Sequence, residues 1–305
     1  MSMTDILIKA ASFTCIILAG YLLRRKGFFK EEDFYVLSKI VLKITLPAAI
    51  VANFSTMELE VSMLSICLFG LSGGVILIGF IWLINTGKPN ERKGFDVLNV
   101  AGYNIGNFTM PFIQGFLGTT GLAAASLFDT GNSIICLGGA CSMAMAAMRT
   151  GQKQTIRDLV RPLLKSVPFI AYITMTILTL MNIRLPRICI SFAQTVGGAN
   201  AFLALLMVGV GFKLSFQPDK IATIFRVLAV RYGISIVLAV VFYLFAPFEL
   251  EIRQAFAILA FSPIASAAPA YAGELGMDVG LSSVINSLSV IISIILMTGT
   301  LMIIL

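Results

Sequence analysis

Long apolar blocks separated by short polar stretches alternate along the chain. A helix needs about 20 mainly apolar residues to cross the roughly 30 Å hydrocarbon core of a membrane. Blocks of about this length occur ten times, which predicts an all-α integral membrane protein with ten transmembrane helices. The predicted spans of the first half cover residues 5–23, 34–54, 61–84, 97–117 and 122–148. Those of the second half cover residues 162–181, 188–212, 221–245, 254–273 and 279–305.

The composition also indicates a membrane protein. Of the 305 residues, 58% are hydrophobic and 12% are charged, whereas about a quarter of a typical soluble domain is charged. The first apolar block is as long as a full span and precedes Arg24, Arg25 and Lys26, so we expect a retained helix rather than a cleaved signal peptide. The five cysteines fall within predicted spans at spacings that match no metal or redox motif, and we expect no metal and no cofactor.

The distribution of basic residues predicts the orientation. Lysine and arginine in short loops remain on the cytoplasmic side of a membrane. Fourteen of them fall in loops on one predicted side, and the other side has only Lys9, Arg184, Arg187 and Arg253. This bias places both termini outside a plasma (inner) membrane. It also accounts for the net charge of +7 without a nucleic-acid partner.

The longest polar stretch divides the chain into two halves. Residues 149–161 are predicted to form a cytoplasmic linker between five spans in residues 1–148 and five in residues 162–305. Because five is odd, a repeat of the first half must enter the membrane in the opposite orientation. Inverted repeats are common in secondary transporters, which bind substrate between the repeats near the middle of the membrane. We therefore expect two inverted five-helix repeats and a carrier function.

The fourth span of each half, residues 97–117 and 254–273, is interrupted by proline and small polar residues. Pro111 lies in the first of these spans, and Pro263 and Pro269 lie in the second. Proline removes an amide donor and frees the carbonyl four residues earlier, which needs protein or water as a partner inside a membrane. The matched interruptions predict two broken helices that share a polar cavity. The alternative is that each proline only kinks a packed helix.

Several polar residues lie deep within other predicted spans. Asp129 in span five could carry a coupling proton, or bind a coupling cation together with Thr130 and Asn132. It could equally be a hydrogen-bonded or protonated structural side chain, since ionisable groups in membranes need a partner. Asn286 in span ten lies at a comparable depth and could serve the same coupling role or simply join two helices.

Two basic residues could contact an anion. Arg231 lies about ten residues into span eight, where it could pair with Asp129 or meet an anionic substrate. Lys43 of span two lies near Pro47, and its role is left open. Clustered glycines are expected to allow close helix contact, at Gly70, Gly73, Gly74, Gly138 and Gly139.

At the fourth span the chain resembles a known family. Residues 104–111, Asn-Ile-Gly-Asn-Phe-Thr-Met-Pro, followed by Gly118, resemble the crossover motif of the auxin efflux carriers. Thr109 stands where that family often has glycine. Further likenesses follow in order at Arg161-Pro162-Leu163, in the leucine-rich run 203–209, and at Pro263 with the acidic turn 272–278. The short central linker resembles the bacterial members, which are organic-acid permeases, rather than the long-loop plant auxin exporters.

The resemblance implies an elevator-like carrier for a small organic anion, such as a mono- or dicarboxylate. Spans one, two, six and seven would form a scaffold, and the crossed spans four and nine would belong to a moving unit. The predicted substrate-binding residues are Asn104, Gly106, Asn107, Pro111, Pro263 and Ser266. Coupling to H+ or Na+ and contact with membrane lipid are expected, and a homodimer is compatible with the sequence.

Other functions are open or disfavoured. Sodium-coupled bile-acid symporters share a similar crossed architecture and are the nearest alternative. A passive channel would need a continuous polar stripe through several spans, whereas the polarity is concentrated at mid-depth in two. The chain has no histidine and no Walker loop, which disfavours a histidine-based enzyme and an ATP-driven pump. A receptor would usually carry a sizeable soluble domain, and the sequence contains none.

Overall fold

The computed structural model describes residues 3–56, 61–149, 156–213 and 218–305. These residues form helices joined by turns, with one isolated antiparallel bridge between Tyr103 and Ile264. The first half contains α1 (Met3–Arg25), α2 (Asp33–Ile40), α3 (Leu46–Phe54), α4 (Ile66–Ile84), α5 (Asn90–Val100), α6 (Met110–Phe116), α7 (Gly118–Ile134) and α8 (Ala140–Met148). The second half contains α9 (Ile156–Lys165), α10 (Val167–Leu180), α11 (Arg187–Gly198), α12 (Asn200–Gly211), α13 (Ile221–Phe245), α14 (Leu250–Leu259), α15 (Ala268–Glu274) and α16 (Val279–Ile304).

Seven helical runs among the described residues are long and apolar enough to cross a membrane. They are Met3–Arg25, Asp33–Phe54, Ser62–Ile84, Gly118–Met148, Arg187–Gly211, Pro218–Phe245 and Val279–Ile304. They correspond to predicted spans one, two, three, five, seven, eight and ten. The apolar helix of span six is shorter, and spans four and nine are each divided into two short helices. An all-helical membrane fold is thus confirmed for the described residues, while ten crossings in two inverted repeats stay a prediction.

The first interruption separates α5 from α6. The helix α5 ends at Val100, residues 101–104 are not helical, and a π-helical turn at Ile105–Thr109 leads into α6. Gly102 has a φ of 74°, in the left-handed region that glycine adopts without strain. A Cβ atom on Gly102 would also lie 2.9 Å from Sγ of Cys136. Both constraints require glycine at this position.

Pro111 does not cause this interruption, which differs from the sequence-based expectation. It lies at the start of α6, and the helical run is continuous through residues 105–116. In the preceding π turn the amide of Thr109 donates to the carbonyl of Asn104 at 3.3 Å. The wider π spacing opens the helix just before the proline, so its ring is accommodated without a break. The chain leaves helical geometry earlier, at residues 101–104.

The second interruption separates α14 from α15. The helix α14 ends at Leu259, and the non-helical stretch that follows contains Pro263. Pro269 lies in the first turn of α15, where the amide that proline lacks would have no helical partner. One proline therefore lies within the break, and the other begins the next helix.

Close helix contacts occur where glycine removes the side chain. A Cβ atom on Gly70 of α4 would lie 1.9 Å from the carbonyl oxygen of Phe128 in α7. A Cβ atom on Gly131 of α7 would lie 1.8 Å from the carbonyl oxygen of Cys67 in α4. The backbones of α4 and α7 are therefore in direct contact, as membrane helices with small interfacial residues commonly are.

Large apolar side chains cover much of the outer surface. Ile188, Phe225, Phe245 and Ile303 are each more than 70% exposed, at 78%, 72%, 75% and 85%. In water this surface would drive aggregation, whereas lipid chains solvate it at no cost. The surface therefore suits a multi-pass protein surrounded by lipid.

Candidate functional site

The two interrupted segments meet inside the molecule. Tyr103 and Ile264 form the antiparallel bridge, and the amide of Asn104 donates to the carbonyl of Pro263 at 2.9 Å. Side chains join the same segments, because Oγ1 of Thr109 donates to Oγ of Ser262 at 2.8 Å. Backbone polar groups that each break leaves without helical partners are therefore satisfied partly by the other break.

Each segment is also held by an asparagine from the next long helix of its half, α7 in the first half and α16 in the second. Asn132 of α7 accepts from the amide of Tyr103 at 2.9 Å and donates to its carbonyl at 2.8 Å. Asn286 of α16 donates to the carbonyl of Ile264 at 2.9 Å, and Oγ of Ser289 accepts from the amide of Ile264 at 3.1 Å. The two residues of the bridge are thus clamped in similar ways from α7 and α16.

Arg231 of α13 lies fully buried against both breaks. Its guanidinium donates to the carbonyl of Val100, and to the carbonyl of Ser262 at 2.8 Å. The ring of Tyr103 covers it, with 4.8 Å between the guanidinium carbon and the ring centroid. None of the ion pairs among the described residues joins Arg231 to Asp129, so the pairing that the sequence allowed is not formed.

Asp129 of α7 is buried within hydrogen-bonding distance of two donors. Nδ2 of Asn132 donates to Oδ1 at 2.9 Å, and the hydroxyl of Tyr172 in α10 donates to Oδ2 at 3.1 Å. Oγ1 of Thr130 instead donates to the carbonyl of Ser126 in its own helix at 2.9 Å. Sequence reasoning missed Tyr172, because a tyrosine within an apolar span has the same pattern as a packing residue. The described residues contain no group of acidic, cysteine or histidine side chains suited to a metal.

A cavity of about 150 Å³ with both polar and apolar lining residues adjoins the meeting point. Asn104, Ser266 and Asn286 line one side of it, and α12 lines the other with Met207 and Val208. Its walls therefore come from both interrupted segments and from a helix that belongs to neither. Amide and hydroxyl groups face apolar side chains across it, which is the usual character of a small-molecule site.

The remaining predicted substrate residues lie outside the cavity wall. Nδ2 of Asn107 donates to Oγ of Ser266 at 3.4 Å, whereas its Oδ1 is buried without a partner in the structure. A Cβ atom on Gly106 would lie 3.3 Å from Oδ2 of Asp129, and Pro111 and Pro263 are buried. Asn107 is therefore connected to the cavity wall by its hydrogen bond to Ser266.

Charged residues surround the mouth of the cavity. Lys213 donates to the carboxylate of Glu31, and its backbone amide donates to Oγ of Ser287 at 2.9 Å. The hydrogen bond and charge of Lys213 hold the pKa of Glu31 below its usual value. Arg24 donates to the carbonyl of Val210 at 2.7 Å. Two cations and one carboxylate give this end of the cavity a positive balance.

Lys43 does not belong to this cavity. It is exposed in the π-helical turn Val41–Thr45 and is not among the residues that line the walls. The neighbouring Thr45 is buried and donates from Oγ1 to Oδ1 of Asn200 at 2.9 Å. This bond joins the second predicted span to the seventh.

Comparison with known proteins agrees with this architecture. A family model described as "Membrane transport protein" matches residues 5–156, which include α1 to α8 and the first interruption. An uncharacterized transporter of Methanothermobacter thermautotrophicus is 25% identical over 214 residues, which cover 68% of this chain and 67% of that protein. Together with the crossover motif at residues 104–111, these matches show that the chain belongs to the auxin efflux carrier family of membrane transport proteins.

Proposed function

We propose that this transporter is a secondary carrier for a small organic anion such as a mono- or dicarboxylate. The observation that carries the proposal is the cavity at the meeting point of the two interrupted segments, where Asn104, Ser266 and Asn286 lie among apolar side chains. Ion and solute sites of secondary transporters are typically formed by interrupted helices near the middle of the membrane. The family is one of transporters rather than of enzymes.

The chemistry around the cavity favours an anion. Asn104 precedes the helical run of residues 105–116, whose first amides carry the partial positive charge of a helix amino end. Ser266 and Asn107 provide hydroxyl and amide groups beside it, and Arg24 and Lys213 lie at the mouth. A carboxylate would find hydrogen-bond donors inside the cavity and favourable charge on the way in. The volume of about 150 Å³ restricts the substrate to a small molecule.

The proposed mechanism moves one part of the molecule against another. In this proposal α1, α2, α3, α10, α11 and α12 form a scaffold, and the remaining spans of two inverted five-helix repeats form the moving unit. Helix contacts support the division, because α1 packs on α12 and α3 packs on α10 and α11. Within the other unit, α4 packs on α7, α5 on α8 and α13 on α14. The cavity lies between the two groups, where elevator movement would expose it to each side in turn.

The proposed orientation, with both termini outside a plasma (inner) membrane, rests on the distribution of basic residues, and long-range contacts support only the grouping of the loops by side. Lys213 pairs with Glu31 and Lys220 with Asp278, and all four belong to loops that the basic residues place in the cytoplasm. At the other end, Nε2 of Gln254 donates to the carbonyl of Ile304 at 2.7 Å. Each contact joins positions that the orientation puts on the same side. The cavity mouth with Arg24 would then face the cytoplasm.

Asp129 remains the proposed coupling residue. It is a buried carboxyl group whose partner Asn132 also holds the backbone of Tyr103. Binding or release of a proton at Asp129 would therefore alter the hydrogen bonds that fix the first interruption. Asn286 holds the second interruption and would respond to the same movement. The coupling ion proposed for Asp129 and the neighbouring Thr130 is a proton, and we also propose assembly as a homodimer.

Substitution of Asn107 tests the site. Asn107→Ala removes the donor to Ser266 and should abolish uptake of labelled carboxylates into proteoliposomes, without lowering the amount of protein in the membrane. Ser266→Ala should have the same effect, because it removes the hydroxyl from the cavity wall. Ser12→Ala in α1 is the matched control, since its hydroxyl bonds only to the carbonyl of Ile8 in its own helix. Unchanged uptake by both site variants would count against this location.

A further inference from the structure

The carboxyl end of one helix and the unwound stretch after another converge on one buried cation. The helix α5 ends at Val100 and α14 ends at Leu259, each just before an interruption. Arg231 reaches the last residue of α5 and the unwound stretch beyond α14, because it donates to the carbonyl of Val100 and to those of Ser262 and Pro263, the latter two at 2.8 and 3.3 Å. A single guanidinium thus holds the carbonyl groups that both breaks leave without helical partners.

The electrostatics of this arrangement are unusual for a structural arginine. Arg231 is 0% exposed, and none of the ion pairs among the described residues gives it a carboxylate. A buried charge is costly unless other groups compensate it. Here the compensation comes from the carboxyl end of α5, from two carbonyl groups of the unwound stretch after α14, and from the face of the Tyr103 ring. The position is therefore built for a positive charge.

In ion-coupled carriers with interrupted helices, unwound carbonyls and helix carboxyl ends commonly coordinate Na+. We infer that Arg231 is a permanently bound cation in that position, and that the carrier works without sodium. This inference rests on the proposed carrier function and assigns the positive charge at the two interruptions to Arg231. It excludes sodium at these carbonyl groups, because their oxygen atoms already accept hydrogen bonds from the guanidinium.

The place of Arg231 in the fold has a consequence for the transport cycle. Arg231 belongs to α13, which packs on α14 and α5 and so lies within the proposed moving unit. The charge travels with the two interruptions in both directions and is never released. A moving unit that keeps its cation can return without substrate, whereas a sodium symporter must first unload both ligands. The geometry therefore disfavours sodium symport through these carbonyl groups.

Uptake of a labelled carboxylate into proteoliposomes tests the inference. Wild-type uptake should be unchanged when sodium is replaced by choline. Arg231→Ala should lose uptake in either salt, and millimolar guanidinium chloride should restore part of it because the ion can occupy the vacated position. Urea has nearly the same shape without the charge and should not restore uptake. A purely structural role for Arg231 would not distinguish guanidinium from urea.

Wild-type uptake that requires sodium would overturn the inference. A folded Arg231→Ala variant that still takes up substrate would also overturn it, as would equal restoration of its uptake by guanidinium and by urea. If Arg231→Ala does not fold, uptake by the variants Arg231→Lys and Arg231→Met is compared instead. The lysine variant keeps the positive charge, whereas the methionine variant keeps a long side chain without the charge. Uptake by the lysine variant alone supports a fixed cation, and equal uptake by both contradicts it. If wild type transports no carboxylate at all, the carrier proposal fails. Selective thermal stabilisation of Arg231→Ala by guanidinium over urea would then still support the fixed cation, and equal effects would contradict it.

Discussion

Individual polar side chains in this protein mainly hold backbone that has left the helix. Asn132 satisfies both the amide and the carbonyl of Tyr103, and Asn286 with Ser289 does the same for Ile264. Each group would otherwise cost several kcal/mol in a low-dielectric interior (roughly 2–7 for an unpaired amide). The interruptions can therefore persist only because these side chains reach them.

Substitution of Asn132 should show this directly. Asn132→Ala leaves the amide and carbonyl of Tyr103 without these partners and should lower the free energy of unfolding by about 1–3 kcal/mol. Asn286→Ala should lower it by a similar amount, because it frees the carbonyl of Ile264. Thermal unfolding of purified protein in detergent measures both changes, with the exposed Asn90→Ala as the control. A stability equal to wild type would mean that the clamp is dispensable.

Sequence reasoning identified several of these residues and misjudged the contacts of others. Asn132, Asn286 and Arg231 stand out because polar groups within apolar spans are costly. Their partners were not predictable, because the segments they contact lie up to 131 residues away and leave no periodic signal. Tyr172 was not predicted at all, since its hydroxyl could be recognised only once Asp129 was found beside it.

At the scale of helices, close packing and interruption determine the architecture. The close contact expected at Gly70 is present, and Gly131, which was not predicted, also allows the backbones of α4 and α7 to touch. The location of the first break was less predictable. Proline within a helix usually marks a distortion, yet a π turn accommodates Pro111, and the chain departs from the helix at Gly102. Tertiary hydrogen bonds from Asn132 to Tyr103 and from Asn104 to Pro263 hold the break there, and the sequence pattern does not reveal them.

A single methyl group should separate α4 from α7. In Gly131→Ala the added Cβ would lie 1.8 Å from the carbonyl oxygen of Cys67, so one backbone must move. Overpacking of this kind costs about 1–3 kcal/mol, and the thermal midpoint should fall accordingly. Gly79→Ala in α4 is the matched control, because nothing lies within 4 Å of a Cβ there and its stability should be unchanged or slightly raised, since alanine favours a helix over glycine. Equal midpoints for the two variants would show that α4 and α7 tolerate separation.

At the scale of the whole molecule, two halves supply one matched pair of interruptions. The first half contributes Tyr103 and Asn104, and the second contributes Pro263 and Ile264, which bond to them across the bridge. Hydropathy alone predicted the helical membrane fold, because lipid-exposed helices need long apolar runs. It could not establish ten crossings, since the interrupted and short spans fall below the length and hydropathy of a complete span. Those segments are also the ones proposed to bind substrate, where polarity is required.

Counterflow in proteoliposomes tests the central claim most directly. Vesicles loaded with an unlabelled dicarboxylate are diluted into a trace of the same labelled compound, and the label inside is followed with time. A carrier whose single cavity opens to one side at a time should accumulate label transiently above its equilibrium level, driven by outward movement of the unlabelled pool. An absence of this overshoot across a panel of small mono- and dicarboxylates, with the label only equilibrating or staying outside, would contradict the account.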